Sequence, residues 1–335
     1  MSFWPCARRD FQGALTMFEA WLGRMGAPVA LLGVVGLIAF FAFPYDLGFL
    51  TRILIMMIFV LSIDLVLGYG GIATLGQAAM YGTGAYAAGL FAVHISANPL
   101  LGLLIGAGAG AGVAFLSGLI VLRAHGLGLL MLTIAVAQIL HEIANKARVV
   151  TGGADGLSGI RMAPLFGRWH FDFIGQTGYL YALAVLVLVM VFLRALCVAP
   201  LGLTARGIHE SPVRMAAIGV PVYGRRVLIY TIAGGLAGVA GALSAQVTAL
   251  VSLQVFSFSL SAEAVVMLIL GGTGRLWGAI FGTAIFMVIH HLAATADPYN
   301  WLFVIGILLL GVVYFIPGGL MGVRQRLRIL FGGQG

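Results

Sequence analysis

Apolar residues in this chain come in long blocks, with almost no short-period alternation. Ten blocks stand out, at roughly 27–43, 50–67, 76–95, 99–122, 127–145, 178–195, 227–250, 258–273, 277–294 and 300–317. Each is about long enough to cross a ~30 Å hydrocarbon layer as a helix. The pattern predicts an all-α, polytopic membrane protein with about ten transmembrane helices. Two connecting segments are long: 146–177, which includes "TGGADGLSGI" (151–160), and 196–226, which is strongly basic.

One stretch interrupts the pattern. "GYGGIATLGQAAMYGTGAY" (68–86) places glycines and the polar residues Thr74, Gln77 and Thr83 inside apolar surroundings. Irregular backbone at membrane depth is tolerated only where it lines a cavity or packs against protein. Gly68, Gly70 and Gly71 therefore predict a helix break, and Thr74, Gln77 and Tyr81, at i, i+3 and i+7, predict one polar helix face along a path. The alternative is that these glycines serve packing alone. "GGTGRLWGAIFGT" (271–283) echoes the stretch faintly, mostly through glycine.

Composition strengthens the membrane reading. Of 335 residues, 61% are hydrophobic and 8% charged, with a mean hydropathy of +1.10. Soluble domains carry about 25% charged residues. The net charge of +8 reflects sidedness and gives no reason to expect nucleic acid. With the N-terminus inside, Arg8, Arg9, Arg24, Arg123, Arg194, Arg206, Arg214, Arg225, Arg226, Arg275, Arg324, Arg326 and Arg328 are cytoplasmic. Only Arg52, Lys146, Arg148, Arg161 and Arg168 fall outside. The positive-inside rule thus favours ten spans with both termini cytoplasmic. The chain divides into an N-terminal segment (1–26), a membrane region (27–323) and a cytoplasmic tail (324–335). Residues 10–25 have helical spacing of Phe11, Leu15, Phe18, Leu22 and Met25, which fits an amphipathic surface helix or, alternatively, a disordered tail.

Several chemistries find no residues. No GxxxxGK[ST] phosphate loop exists, and Lys146 is the sole lysine. There is no HExxH or CxxC; His290 and His291 are adjacent, and Cys6 and Cys197 have no metal or redox spacing. No metal site is expected. Asp64, Glu142 and Glu263 are scattered, unlike the connected relay of a proton pump. Gly102, Gly106, Gly108, Gly110 and Gly112, with Gly234, Gly235, Gly238 and Gly241, suit close helix packing within the chain or, less favourably, a dimer interface.

The basic segment "LGLTARGIHESPVRMAAIGVPVYGRR" (201–226) carries helix punctuation. Ser211 is a suitable N-cap, Pro212 suits the first helical position, Gly219 suits C′, and Pro221 stops the helix. Leu203 to His209 can add another turn or two. A short, rigid, basic helix between two spans is suited to docking. Arg206 and Arg214 would meet an acidic rim, while Val213, Met215 and Ile218 would form an apolar knob.

These residues resemble the coupling loop of the M-type (LivM-like) permeases of branched-chain amino-acid ABC importers. Gly202, Arg206, Ile208, Glu210, Ala217, Gly219 and Val220 match it. In the same order along the chain, Gly68, Tyr69, Gly71, Thr74, Leu75, Gly76, Ala78, Gly82, Gly84, Ala85 and Tyr86 match a second family stretch. Thr151, Gly152, Gly153, Asp155 and Gly156 match a third; Gly271, Gly272, Gly274 and Gly278 a fourth; Pro317, Gly319, Leu320 and Gly322 a fifth. Departures include Asp64 for a usual Asn, Gln77 for a frequent His, Met80 for a frequent Phe and His209 for a frequent Arg. Pro212 and Arg214 stand where acidic or small residues are common.

The resemblance implies a type II-like importer permease fold in the bacterial inner membrane. It implies a second, LivH-like permease, two LivG/LivF-like ATPase subunits and a periplasmic binding protein as partners, besides membrane lipid. The chain itself would need no cofactor; ATP and Mg would belong to the ATPases. Arg206, Ile208, His209, Glu210, Ser211, Pro212, Arg214, Ala217 and Gly219 would form the coupling loop. Gly68, Gly70, Gly71, Thr74, Gln77, Tyr81, Gly271, Gly272 and Gly274 would border the path, and Thr151, Gly152, Gly153 and Asp155 the external loop. The cargo would be branched-chain amino acids or a related small amino acid or organic acid. The rival reading is a secondary transporter that works without ATPases.

Overall fold

A computed structural model describes residues 29–164, 175–296 and Gly306. Among these residues the regular elements are helical, apart from one isolated antiparallel bridge between Leu157 and Val251. The helices are α1 (Val29–Ala42), α2 (Leu47–Asp64), α3 (Gln77–His94), α4 (Pro99–Val121), α5 (Leu127–Lys146) and α6 (Arg148–Thr151). They continue as α7 (Gln176–Val198), α8 (Pro200–Glu210), α9 (Pro212–Ala217), α10 (Val222–Thr248), α11 (Phe258–Gly271) and α12 (Leu276–Ala296). Local chemistry sets several starts. Asn98 accepts from the Leu100 N–H at 3.1 Å with Pro99 at the first helical position, and Ser257 accepts from the Leu260 N–H at 3.3 Å.

Six helices are long and apolar enough to cross a membrane, from the 20 residues of α5 to the 27 of α10. The protein is a multi-pass membrane protein. The predicted spans and the observed helices agree closely for α3, α4, α5, α7 and α12, and differ at three places. α10 starts at Val222, so Tyr223 to Arg226 form its first turns; the sequence reading began the span at 227, after the charges. α11 has 14 residues, a rise of only about 21 Å. It ends early because Gly272 (φ 104°) and Gly274 (φ 74°) leave the helical region. α8 is a full 11-residue helix where the sequence suggested a turn or two. The 300–317 span, residues 10–25, the 317–322 match and the C-terminal arginines lie outside the described residues.

The core is built around α10, which packs most heavily against α4 and α3. Glycines make this possible. A Cβ on Gly110 would stand 2.5 Å from the Gly234 carbonyl oxygen, and one on Gly106 would meet Ala242 at 2.6 Å. Gly84 and Gly238 also touch backbone to backbone. Gly108 and Gly112 have open space instead. The glycine stripe of α4 is therefore an intrachain packing face at Gly102, Gly106 and Gly110, and an outer face between them. Outside this core the bundle is oily: Leu104 is 65% exposed, Leu116 66% and Met131 72%. Such a surface needs lipid or another apolar protein against it.

The 27-residue α10 separates two ends of the bundle. α9 adjoins its start, and Val251, just past its end, pairs with Leu157. Leu157 therefore lies toward one end of α10 and α9 toward the other.

Candidate functional site

α2 does not stop at its glycines. It passes at Asp64 directly into a π turn over Leu65–Tyr69, closed by the Gly70 N–H to Leu65 carbonyl bond at 3.1 Å. Such turns recur at functional sites. The chain leaves the helix only at Gly71 (φ 63°) and runs irregularly to Gly76 before α3 begins. Buried backbone donors in this run need partners. The Leu75 N–H donates to Thr133 Oγ1 of α5 at 3.3 Å, the Gly76 N–H to Thr74 Oγ1 at 3.2 Å, and the Ala78 N–H to Ser261 Oγ of α11 at 2.9 Å. The break is thus a pinned element held by three side chains. Ser261→Ala should leave the Ala78 N–H unpaired, with a loss of about 1–3 kcal/mol. Thermal unfolding of the detergent-solubilised protein checks this; an unshifted midpoint would mean that another acceptor takes the Ala78 N–H.

Two further elements converge on the break. Asp64 is fully buried, and its Oδ1 accepts from the Gly274 N–H at 2.7 Å, while Oδ2 has no partner. Gly68 lies against both Asp64 and Gly274, where a Cβ would come within 2.8 Å of the Gly274 Cα. The carboxylate therefore brackets the π turn to the α11–α12 turn. From the other side comes α8. A Cβ on Gly71 would lie 2.9 Å from His209 Cγ, and the Arg206 guanidinium sits over the Tyr69 ring at 4.7 Å. A guanidinium over an aromatic face at this distance is attracted by the ring quadrupole.

Arg206 is exposed, as an outward-facing charge requires, and its guanidinium also engages the π turn. Ile208 is fully buried beneath α8. Met215 also turns inward, so that a Cβ on Gly207 would meet its Sδ at 2.6 Å, and α9 is thereby keyed to α8. Ser211 caps α9 as expected, accepting from the Arg214 N–H at 3.4 Å, and Gly219 takes the left-handed C′ position at φ 85°. Arg214, Ala217, Val213 and Ile218 remain exposed, the last two at 79% and 74%. An exposed cap of α9 residues thus stands on α8, and α8 stands on the helix break.

The predicted polar face is corrected. Thr74 precedes α3, so it shares no helix face with Gln77 and Tyr81. Its hydroxyl is used on Gly76, and the Thr83 hydroxyl donates back to the Ala79 carbonyl. Gln77 is buried and both its polar side-chain atoms are unpartnered. Tyr81 alone of these borders an open cavity. Gly271 forms a tight backbone crossing with Gly278 and Gly282 of α12. Thr151 donates to the Ala144 and Ala147 carbonyls at 2.5 and 2.9 Å and accepts from the Gly153 N–H. Gly152 and Gly153 have positive φ, Asp155 is exposed, and this turn region packs on α5 and α3 and pairs with Val251 just past α10. It is separate from the break. Among the described residues no His/Cys/Asp/Glu group could hold a metal.

Comparison with known proteins decides the family. The family described as branched-chain amino acid transport system / permease component matches residues 46–313. The chain belongs to that permease family. It is 27% identical over 308 residues to the high-affinity branched-chain amino acid transport system permease protein LivM of Salmonella typhimurium, covering 84% of this chain and 71% of the relative. It is 26% identical over 311 residues to LivM of Escherichia coli, covering 85% and 71%. No solved structure matches it. This permease is a transport component and not an enzyme.

Proposed function

We propose that this permease is one of two membrane subunits of an ATP-driven importer in the bacterial inner membrane. It has about ten spans with both termini cytoplasmic. It forms, with a second LivH-like permease, the path for branched-chain amino acids or a related small amino acid or organic acid. A periplasmic binding protein delivers the cargo, and two ATPase subunits bind ATP and Mg. The observation that carries this reading is the stack of α9 on α8 on the helix break. Val213 and Ile218 offer an exposed apolar cap with Arg214 beside it, suited to a groove on an ATPase. A push on that cap passes through the Met215–Gly207 contact into α8. From there Arg206 and His209 press on Tyr69 and Gly71. The bracket from Asp64 to Gly274 spreads the displacement to α11 and α12. Alternating access then follows as a rocking of packed helices, a shift between two packings rather than a continuous bend.

Purification of the tagged chain from its native membrane tests the assembly. The expected result is co-purification of a second permease and an ATPase. Val213→Asp together with Ile218→Asp should release the ATPase while retaining the second permease. Recovery of the chain alone from gently solubilised membranes would overturn the reading.

A further inference from the structure

At the end of the bundle opposite α8 and α9, a cavity of about 500 Å³ opens between α2, α3, α10 and α11. Its size falls in the range of small-molecule sites. Arg52 of α2 and Glu263 of α11 both line it, and they are the only Arg, Lys, Asp or Glu side chains in its lining. A guanidinium and a carboxylate in such apolar helices are expensive unless they pair or serve a ligand. They lie within electrostatic reach of each other but do not form an ion pair. The gap between them is therefore bordered by one positive and one negative group. Tyr81, Ser244 and Ser257 add hydroxyls to the wall, and Ile55, Met56 and Val247 add apolar surface.

We propose that this cavity is a binding site for a zwitterionic α-amino acid: Arg52 takes the carboxylate, Glu263 the ammonium, and the apolar wall the side chain. The inference rests on the importer reading, which makes this end the one where cargo arrives. A ligand that carries an ammonium and a carboxylate on one carbon can face both groups at once. An organic acid or an amine completes only one and leaves the other charge unpaired. The neutral hydroxyls and the open mouth keep the site shallow, so that the cargo is oriented and then passed on. Recognition by opposite charges also explains a polar wall in a chain with 8% charged residues.

The test is a protection assay on the assembled transporter in nanodiscs, without binding protein. A Ser257→Cys variant is labelled with a maleimide at graded concentrations of leucine, 4-methylpentanoate or 3-methylbutylamine. Leucine should slow labelling, and each single-charge analogue should need at least about tenfold more. Arg52→Gln and Glu263→Gln should each abolish the preference for leucine over one analogue. Thr295→Cys, outside the cavity lining, should show no protection. ATP-driven uptake of leucine is measured in parallel, with the same transporter variants reconstituted into proteoliposomes and supplied with loaded binding protein. Normal uptake with no protection, or with equal protection by all three compounds, would overturn the cavity and leave the importer intact. Protection by leucine without ATP-driven uptake would uphold the cavity and overturn the importer.

Discussion

Gly238→Leu is expected to eliminate folded transporter, whereas Gly108→Leu on the facing helix should leave it intact. At Gly238 a Cβ would strike the Gly106 carbonyl and come within 3.1 Å of the Gly110 Cα. These are backbone atoms of α4, and no rotamer change moves them aside. Overpacking a core by a few methylenes costs about 1–3 kcal/mol when side chains can adjust. Here α4 and α10 would have to separate along a seam of backbone-to-backbone contact. At Gly108 nothing lies within 4 Å, so leucine there meets only the surroundings of the protein. Size-exclusion profiles of the two variants after solubilisation check the contrast. Equal monodisperse recovery of both would mean that the α4–α10 seam is not the core of the fold.

Gly71→Leu should block transport by a different route. Gly71 has φ 63°, a region that costs ordinary residues roughly 1–2 kcal/mol, and its space is taken by His209. A leucine would wedge α8 away from the break while leaving the exposed cap of α9 unaltered. The variant should insert and bind the ATPase, yet lose at least about tenfold in uptake rate, a barrier change of ~1.4 kcal/mol. Gly219→Val acts one step earlier. Gly219 has open space around it but φ 85°, so only backbone strain is introduced, at the end of α9. That variant should lose ATPase association, and Gly219→Asn, which tolerates the left-handed region, should restore it. The two glycines thus separate docking from transmission. Parental uptake in Gly71→Leu would mean that α8 does not act on the break.

Much of this architecture is written in the chain pattern. Long apolar blocks define spans because a helix of fixed rise must match a layer of fixed thickness. The capped α9 is readable because Ser211, Pro212 and Gly219 each have a local backbone reason to be where they are. The π turn is not readable, since i to i+5 bonding leaves no compositional trace in "LVLGY" (65–69). The Asp64 bracket joins residues 210 apart, and only the packing of α2 beside the α11–α12 turn reveals it. The contact of Arg206 with the Tyr69 ring is hidden for a related reason: it joins residues far apart in the chain, and only the packing of α8 against the break reveals it. Thr74 lies off the polar face because α3 starts three residues later than a shared helix face needs. Arg52, one of the outside basic residues by sequence, and Glu263, one of the scattered acids, are brought around one cavity only by the fold.

The central claim is that motion on the α9 side is supplied by ATP and reaches the path through α8. It is tested most directly by cargo uptake into proteoliposomes that contain this permease with its second permease and ATPases, supplied with loaded binding protein. The account predicts uptake that requires ATP hydrolysis, stops when the ATPases are omitted, and ignores an imposed ion gradient. Gradient-driven uptake by this permease alone would contradict it.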